Sequence, residues 1–234
     1  LTQPVTFDDN GNFLTLDQGG EIQSYVYETG TDRVINTRGD TANNDYETDI
    51  RGAITRSVSQ EITNIDFELL SQRATTLSTD NKGAVTLQYD SQFNRVLKTS
   101  DSGTRSTVRG LNGWPLVEFD TPMDDTTETT EYLYGPTGLF AIRVDDTVYP
   151  VIVDHLHSVR GLVAGSAAME TAFHYSPFGA VVAEYGNTAI MRYRFTGYEY
   201  DEETGLYNAA ARLYDPELKR FYSTDPKMQF FSKI

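Results

Sequence analysis

Apolar and polar residues alternate along this chain in short runs, each closed by Gly, Asn, Asp or Pro. In "AVTLQY" at 84–89, Val85, Leu87 and Tyr89 alternate with Thr86 and Gln88, the period of a strand with one buried face. "IQSYVYE" at 22–28, "TEYLYGP" at 130–136 and "VYPVIVDHL" at 148–156 are β-branched and aromatic runs that predict further strands. "DDNGN" at 8–12 carries the Asn-Gly pair of a two-residue hairpin turn, and "TDNKG", "DSGT" and "GPTG" predict more turns. Long helical periodicity is missing. "ITNIDFELLSQRA" at 62–74 has apolar residues at 62, 65, 69 and 70, near helical spacing, but its strand-like flanks favour a strand. "LYNAAARLYD" at 206–215 suggests one short turn of helix around its Ala run, and the polar "DTPMDDTTETTE" at 120–131 predicts an acidic, solvated connection.

The strand signals repeat. An aromatic, a turn cluster and an apolar strand recur as "FDDNGNFLTL", "YETDIRGAIT", "YDSQFNRVLK", "YGPTGLFAIR" and "YSPFGAVVAE". The leading aromatics are Phe7, Tyr46, Tyr89, Tyr134 and Tyr175, separated by 39, 43, 45 and 41 residues. Such a period marks an array whose units cannot bury a core alone. A β-propeller has a similar period, but its Gly-His and Trp-Asp punctuation is absent and the single Trp is Trp114. Each ring is expected to lie over the neighbouring hairpin, with its hydroxyl facing solvent or a backbone carbonyl. The result is a curved ribbon of antiparallel hairpins.

Composition narrows the role. The chain has 234 residues, 38% of them hydrophobic and 12% aromatic, enough for a buried core. Its formal net charge of −15 repels phosphate backbones, so no nucleic-acid partner is expected. Without Cys there is no disulfide framework, thiol nucleophile or Cys-ligated zinc. The first residues, "LTQPVTFDDNGN", form no signal peptide, no run reaches a transmembrane length, and the chain starts without Met. It reads as a piece of something longer.

Against this background "YDSQFNRVL" at 89–97 resembles the YD repeat of the Rhs (rearrangement hotspot) family. The match is denser from Tyr132. "YLYGPTGLFAIRVDDTVYPVIVDHLHSVRGLV", "YSPFG" and "YRFTGYEYDEETGLYNAAARLYDPELKRFYSTDP" are similar to the Rhs-associated core and the stretch leading into it. Relatives of this kind include Tc-toxin BC components, bacterial Rhs effectors, animal teneurins and large mosquito salivary-gland proteins. The resemblance implies an all-β fold in which antiparallel hairpins wind into part of a spiral, hollow shell. Residues 1–131 would supply shell strands and 132–234 the core, an inward-coiling plug. It implies encapsulation of a polypeptide cargo, partners in the remaining segments of the same large protein and in that cargo, and a secreted location. A teneurin-like adhesion role, with a host-cell surface receptor as partner, is the alternative binding reading. Two positions depart from the family form: His157 and Lys219 stand where Gly is usual, which raises the expectation of an altered turn at Lys219. After Asp225-Pro226 the chain reads "KMQFFSKI". The variable cargo that follows in many members is therefore expected outside this chain, either cleaved off and released or on another segment.

The resemblance also implies one chemistry, aspartyl self-cleavage between shell and cargo, in which paired carboxylates activate water. It maps onto Arg212, Asp215 and Asp225. Leu213 occupies the place of one carboxylate, and Asp215, two residues on and on the same strand face, is the nearest replacement. The plainer alternative makes Asp215-Pro216 and Asp225-Pro226 turn formers. No metabolic enzyme signature and no cofactor motif is present. His155 and His157 would share one side of a strand, with His174 as a third metal ligand, but nothing brings His174 near. Asp8, Asn10 and Asn12 mimic the start of a calcium loop without its Gly and distal Glu at the required spacing. Exposed Tyr residues would suit carbohydrate, but packing between strands is the plainer account of them.

Overall fold

Short alternating runs are too small to stand alone, and here they pair edge to edge. The computed structural model describes residues 5–18, 20–39, 44–123, 126–165, 168–210 and 212–225. Strands β1 (Val5–Phe7), β2 (Phe13–Gln18) and β3 (Glu21–Ser24) form a small sheet, and β4 (Val26–Tyr27) pairs with β5 (Val34–Asn36). A fourteen-stranded antiparallel sheet follows, paired strictly in chain order. Its first half is β6 (Tyr46–Thr48), β7 (Ile54–Ser57), β8 (Ile62–Phe67), β9 (Ala74–Thr79), β10 (Ala84–Tyr89), β11 (Arg95–Ser100) and β12 (Gly103–Arg109). Its second half is β13 (Pro115–Pro122), β14 (Glu128–Gly135), β15 (Gly138–Val144), β16 (Thr147–Val153), β17 (Val159–Val163), β18 (Met169–Tyr175) and β19 (Val181–Gly186). Two single-turn 3-10 segments, Thr188–Ile190 and Phe195–Gly197, lead into a last sheet of β20 (Glu199–Asp201), β21 (Leu206–Ala209), β22 (Arg212–Asp215) and β23 (Arg220–Phe221). The fold is thus all-β and antiparallel, as the alternation predicts. No helix among the described residues is long and apolar enough to cross a membrane.

The turns give the tyrosine–aspartate spacing its physical meaning. Asp8, Asp49, Asp90 and Asp154 each follow a strand, and one carboxylate oxygen accepts the backbone N–H groups two and four residues on. For Asp90 these are Gln92 at 2.9 Å and Asn94 at 2.8 Å; for Asp154 they are Leu156 at 2.9 Å and Ser158 at 3.0 Å. The fourth residue of each such turn is left-handed: Gly11, Gly52, Phe93 and His157 have φ of 84°, 84°, 67° and 63°. Asp8–Asn12 is therefore a five-residue capped loop of this kind, not the two-residue hairpin suggested by Asn-Gly. Turns begin at residues 49, 68, 90, 110, 135, 154 and 176, about twenty residues apart, so the period of the leading aromatics spans two hairpins. Tyr46 lies out of phase, because Thr48 and not an aromatic precedes Asp49. Of the leading tyrosines, Tyr89 and Tyr175 reach back over the preceding hairpin, as does Tyr27, whereas the Tyr46 hydroxyl meets that of Ser59 at 3.1 Å. Tyr27, Tyr89 and Tyr175 donate their hydroxyls to the carbonyls of Phe13, Ala74 and Val159 at 2.8, 2.8 and 2.9 Å.

Three local expectations change. "LYNAAARLYD" forms the β21–β22 hairpin, turned at Ala210 with φ 55°, because Tyr207 and Tyr214 pair across it and outweigh the helix preference of Ala. "ITNIDFELLSQRA" is strand over its first six residues, as its flanks favour, but β8 is not continued: the chain turns through exposed Leu69 and Leu70 and begins β9 at Ala74. The polar 120–131 stretch is mostly strand, since β13 runs to Pro122 and β14 starts at Glu128; residues 124 and 125 lie outside the described residues. The division expected between 131 and 132 falls inside β14.

Two apolar clusters cover one face of the long sheet, and both are completed by the chain's last part. Ile190, Met191 and Tyr193 pack with Tyr132, Ile142, Val159, Leu162 and Phe173 from β14–β18. Leu206, Leu213, Leu218 and Tyr222 pack with Ile54, Ile62, Ile65, Leu77, Val85 and Leu87 from β7–β10. The segment from 188 to 222 therefore runs back across the sheet in reverse strand order.

Candidate functional site

Between the two apolar clusters the returning segment is held by charge. Period-two alternation on β20 sends Glu199 and Asp201 to one side, against β11 and β12. Arg95 grips both oxygens of Asp201 at 2.7 and 2.9 Å and reaches Glu199 at 2.8 Å. Lys98 lies 2.8 Å from Asp201 and also pairs with Glu203. The side chains of Arg95, Lys98, Glu199 and Asp201 are at most 5% exposed, so these are desolvated ions held by one another. Arg109 and Arg105 stand 3.7 and 4.0 Å from Glu199. Farther along, Tyr132 and Tyr193 donate to the buried carboxylate of Glu118 at 2.7 and 3.0 Å, and Arg192 pairs with Asp120. Burial, the largest single influence, would raise the carboxyl pKa values of Asp201 and Glu199, but Arg95 together with Lys98 at Asp201 and with Arg105 at Glu199 outweighs it. Both stay below the ordinary carboxylate range.

Arg212 and Asp225 are brought together, 3.5 Å apart, with the Arg212 guanidinium 3.6 Å above the centre of the Phe221 ring. Arg212 lines a groove of about 600 Å³ with four further cations, Arg33, Arg51, Lys219 and Arg220. Asp215 is not brought to them. Leu213 and Asp215 share the buried face of β22, while Arg212 projects from the other. Asp215 is fully buried, accepts the N–H groups of Glu217 and Leu218 at 2.8 and 2.9 Å, and accepts the Tyr222 hydroxyl at 2.8 Å. Burial pushes its carboxyl pKa up. Pro226 lies outside the described residues. The arrangement makes Asp215 the cap of the turn between β22 and β23 and leaves Arg212 in the basic groove, with Asp225 paired to it.

Lys219 and His157 keep the left-handed conformation that a Gly would adopt freely, with φ of 62° and 63°. The turn at Lys219 is therefore not altered, only more costly, by roughly 1 kcal/mol per non-Gly residue. His155 and His157 lie in the 154–158 turn, not along a strand, because Asp154 caps that turn. Among the described residues no group of three His, Asp or Glu side chains could hold a metal ion. Asn10 and Asn12 spend their amides on the carboxylates of Asp32 and Asp8. Sequence reasoning missed the buried ion cluster. Its one local trace is the acid-dense "EYDEE" at 199–203, set among residues too apolar to be a solvated face.

Comparison with known proteins follows this geometry. The family model of the teneurin YD-shell matches residues 2–234. Salivary gland surface protein 1 of Aedes aegypti is 30% identical over 248 aligned residues, covering 98% of this chain and 7% of that protein. The tRNA nuclease WapA of Bacillus subtilis is 30% identical over 157 residues, covering 65% of this chain and 7% of that protein. Among solved structures, TcdB2-TccC3 superposes with a TM-score of 0.75 at 15% identity, over 95% of this chain and 12% of that one. The Tc holotoxin pore of Photorhabdus luminescens gives the same TM-score, identity and coverage. At that identity the likeness speaks for the fold, and the chain spans only a small part of each relative's length. With a hairpin ladder that pairs in chain order and a family model matched almost end to end, the chain belongs to the teneurin YD-shell family and is a structural segment of such a shell.

Proposed function

We propose that this chain is wall and closure of a hollow β-shell that keeps a polypeptide cargo away from solvent until delivery. The carrying observation is the return of residues 188–222 across one face of the fourteen-stranded sheet, sealed by two apolar clusters and the Arg95–Asp201 ion cluster between them. The partners are then the remaining segments of the same large protein and the cargo itself, and the setting is extracellular. The test is protease protection of the segment following this one in the intact protein. The cargo should resist digestion while the shell is closed and become cleavable in an Arg95→Met variant. Digestion at the same rate as the free cargo polypeptide would overturn the reading.

A second reading, cleavage of the chain past Asp225, is supported by the Arg212–Asp225 pair beside the basic groove. It predicts that Asp225→Asn, in a protein extended beyond residue 234, abolishes a cleaved band on a gel. Normal cleavage in that variant removes this reading and leaves the shell untouched.

A further inference from the structure

We infer that the pocket around Trp114 is a binding site for a neutral pyranose unit of a glycan. Hairpin turns of β12–β13, β14–β15 and β16–β17 meet the Thr196–Gly197 bend there and enclose about 690 Å³. Trp114, the only Trp of the chain, is 45% exposed and stacks on Tyr134 with ring centroids 4.7 Å apart. A large indole left this open, beside an apolar floor that includes Leu139, Val153 and Val159, is a platform without an occupant of its own chain among the described residues.

Two features select the ligand. Among the described residues no Asp, Glu, Lys or Arg lines the pocket, although the chain carries a net charge of −15. A charged ligand would lose hydration there without a counter-charge, so the ligand is neutral. The rim, however, is polar. The side chains of Thr137 and His157 have no hydrogen-bond partner among the described residues, and the Thr196 hydroxyl, which donates to the Phe195 carbonyl at 2.8 Å, keeps its acceptor capacity. An aliphatic or aromatic side chain filling the pocket would strip water from these groups and satisfy none of them. A pyranose has what both surfaces require: an apolar C–H face for the indole and hydroxyls around its edge for the rim. The volume suits one or two sugar units.

The single Trp makes the pocket its own reporter. The 234-residue chain is titrated with cellobiose, maltose and N,N′-diacetylchitobiose while Trp emission is followed. At least one should give a saturable change with a dissociation constant on the order of 1 mM. His157→Gly, at a left-handed position where Gly is favoured, should keep or raise thermal stability yet weaken binding about fivefold, as should Thr137→Val. Trp114→Ala, followed by ligand-observed NMR with circular dichroism to confirm the fold, should weaken it about tenfold or more. The inference is overturned if none of the three sugars gives a saturable response up to about 50 mM. It is equally overturned if Trp114→Ala leaves binding unchanged, or if N-acetyl-phenylalanine amide quenches Trp114 where the sugars do not. That last outcome would make it a pocket for cargo side chains.

Discussion

Replacing Arg95 by Met tests the closure directly. Met fills much of the same space but leaves Asp201 with Lys98 at 2.8 Å and Glu199 with the more distant cations Arg109 and Arg105, at 3.7 and 4.0 Å, and the Asn208 amide at 3.5 Å. Removing one member of a buried ion cluster costs about 3–5 kcal/mol, mostly from the charges left uncompensated. Because Lys98 still neutralises Asp201, the lower end applies, about 3 kcal/mol. In urea, with a slope near 3 kcal/mol per molar, that moves the unfolding midpoint down by about 1 M. Trp114 emission and circular dichroism both report the transition.

The pH dependence carries a second signature. Asp201 and Glu199 have folded pKa values below their ordinary 3.8 and 4.5. Their contribution is therefore fully present above those ordinary values and is lost as pH falls through the depressed folded ones. Without Arg95 the folded values rise towards the ordinary ones, so the variant should lose less stability than the parent protein as pH falls below them. Adding Glu199→Gln should recover most of the loss, since Glu199 is the carboxylate left without a close cation while Asp201 keeps Lys98. A midpoint shift under about 0.3 M, or a double variant no better than the single one, would refute a closure held by this cluster.

Other positions make independent tests. Asp215→Asn keeps the acceptor for Glu217 and Leu218 and should change stability at neutral pH by less than about 1 kcal/mol, whereas Asp215→Ala should lose about 2–4 kcal/mol in a thermal melt. Because burial raises the Asp215 pKa above 3.8, its contribution is present below that value and is lost as pH rises through the folded one. The Asn variant should therefore be relatively more stable on the alkaline side. Asp90→Ala removes the carboxylate that caps the 90–94 turn and should cost about 1–2 kcal/mol in urea. Gly103→Ala places a methyl group 2.4 Å from the Thr121 carbonyl oxygen at φ 142°, and should cost about 2–4 kcal/mol or shift the β12–β13 register, readable by hydrogen exchange.

What the sequence determined by itself is local. Val85, Leu87 and Tyr89 alternate because a strand's side chains alternate, and Val85 and Leu87 are indeed buried while Thr86 and Gln88 are exposed. The Asp residues that follow the strands and the left-handed fourth residues stop each strand within five residues, so the hairpin array was legible from turn chemistry and spacing. Alternation also put Leu213 and Asp215 on one face correctly, yet could not say that this face is turned away from Arg212 and Asp225. Only the tertiary structure decided that the last segment runs back across the sheet. Its anchor, Arg95 with Asp201, joins residues 106 positions apart, and no local period carries such a contact. The pocket at Trp114 likewise exists because turns distant in sequence share one edge of the ladder. Strand and turn are set by forces between neighbours in the chain; closure and pocket arise from burial shared between parts that meet only after the ladder has formed.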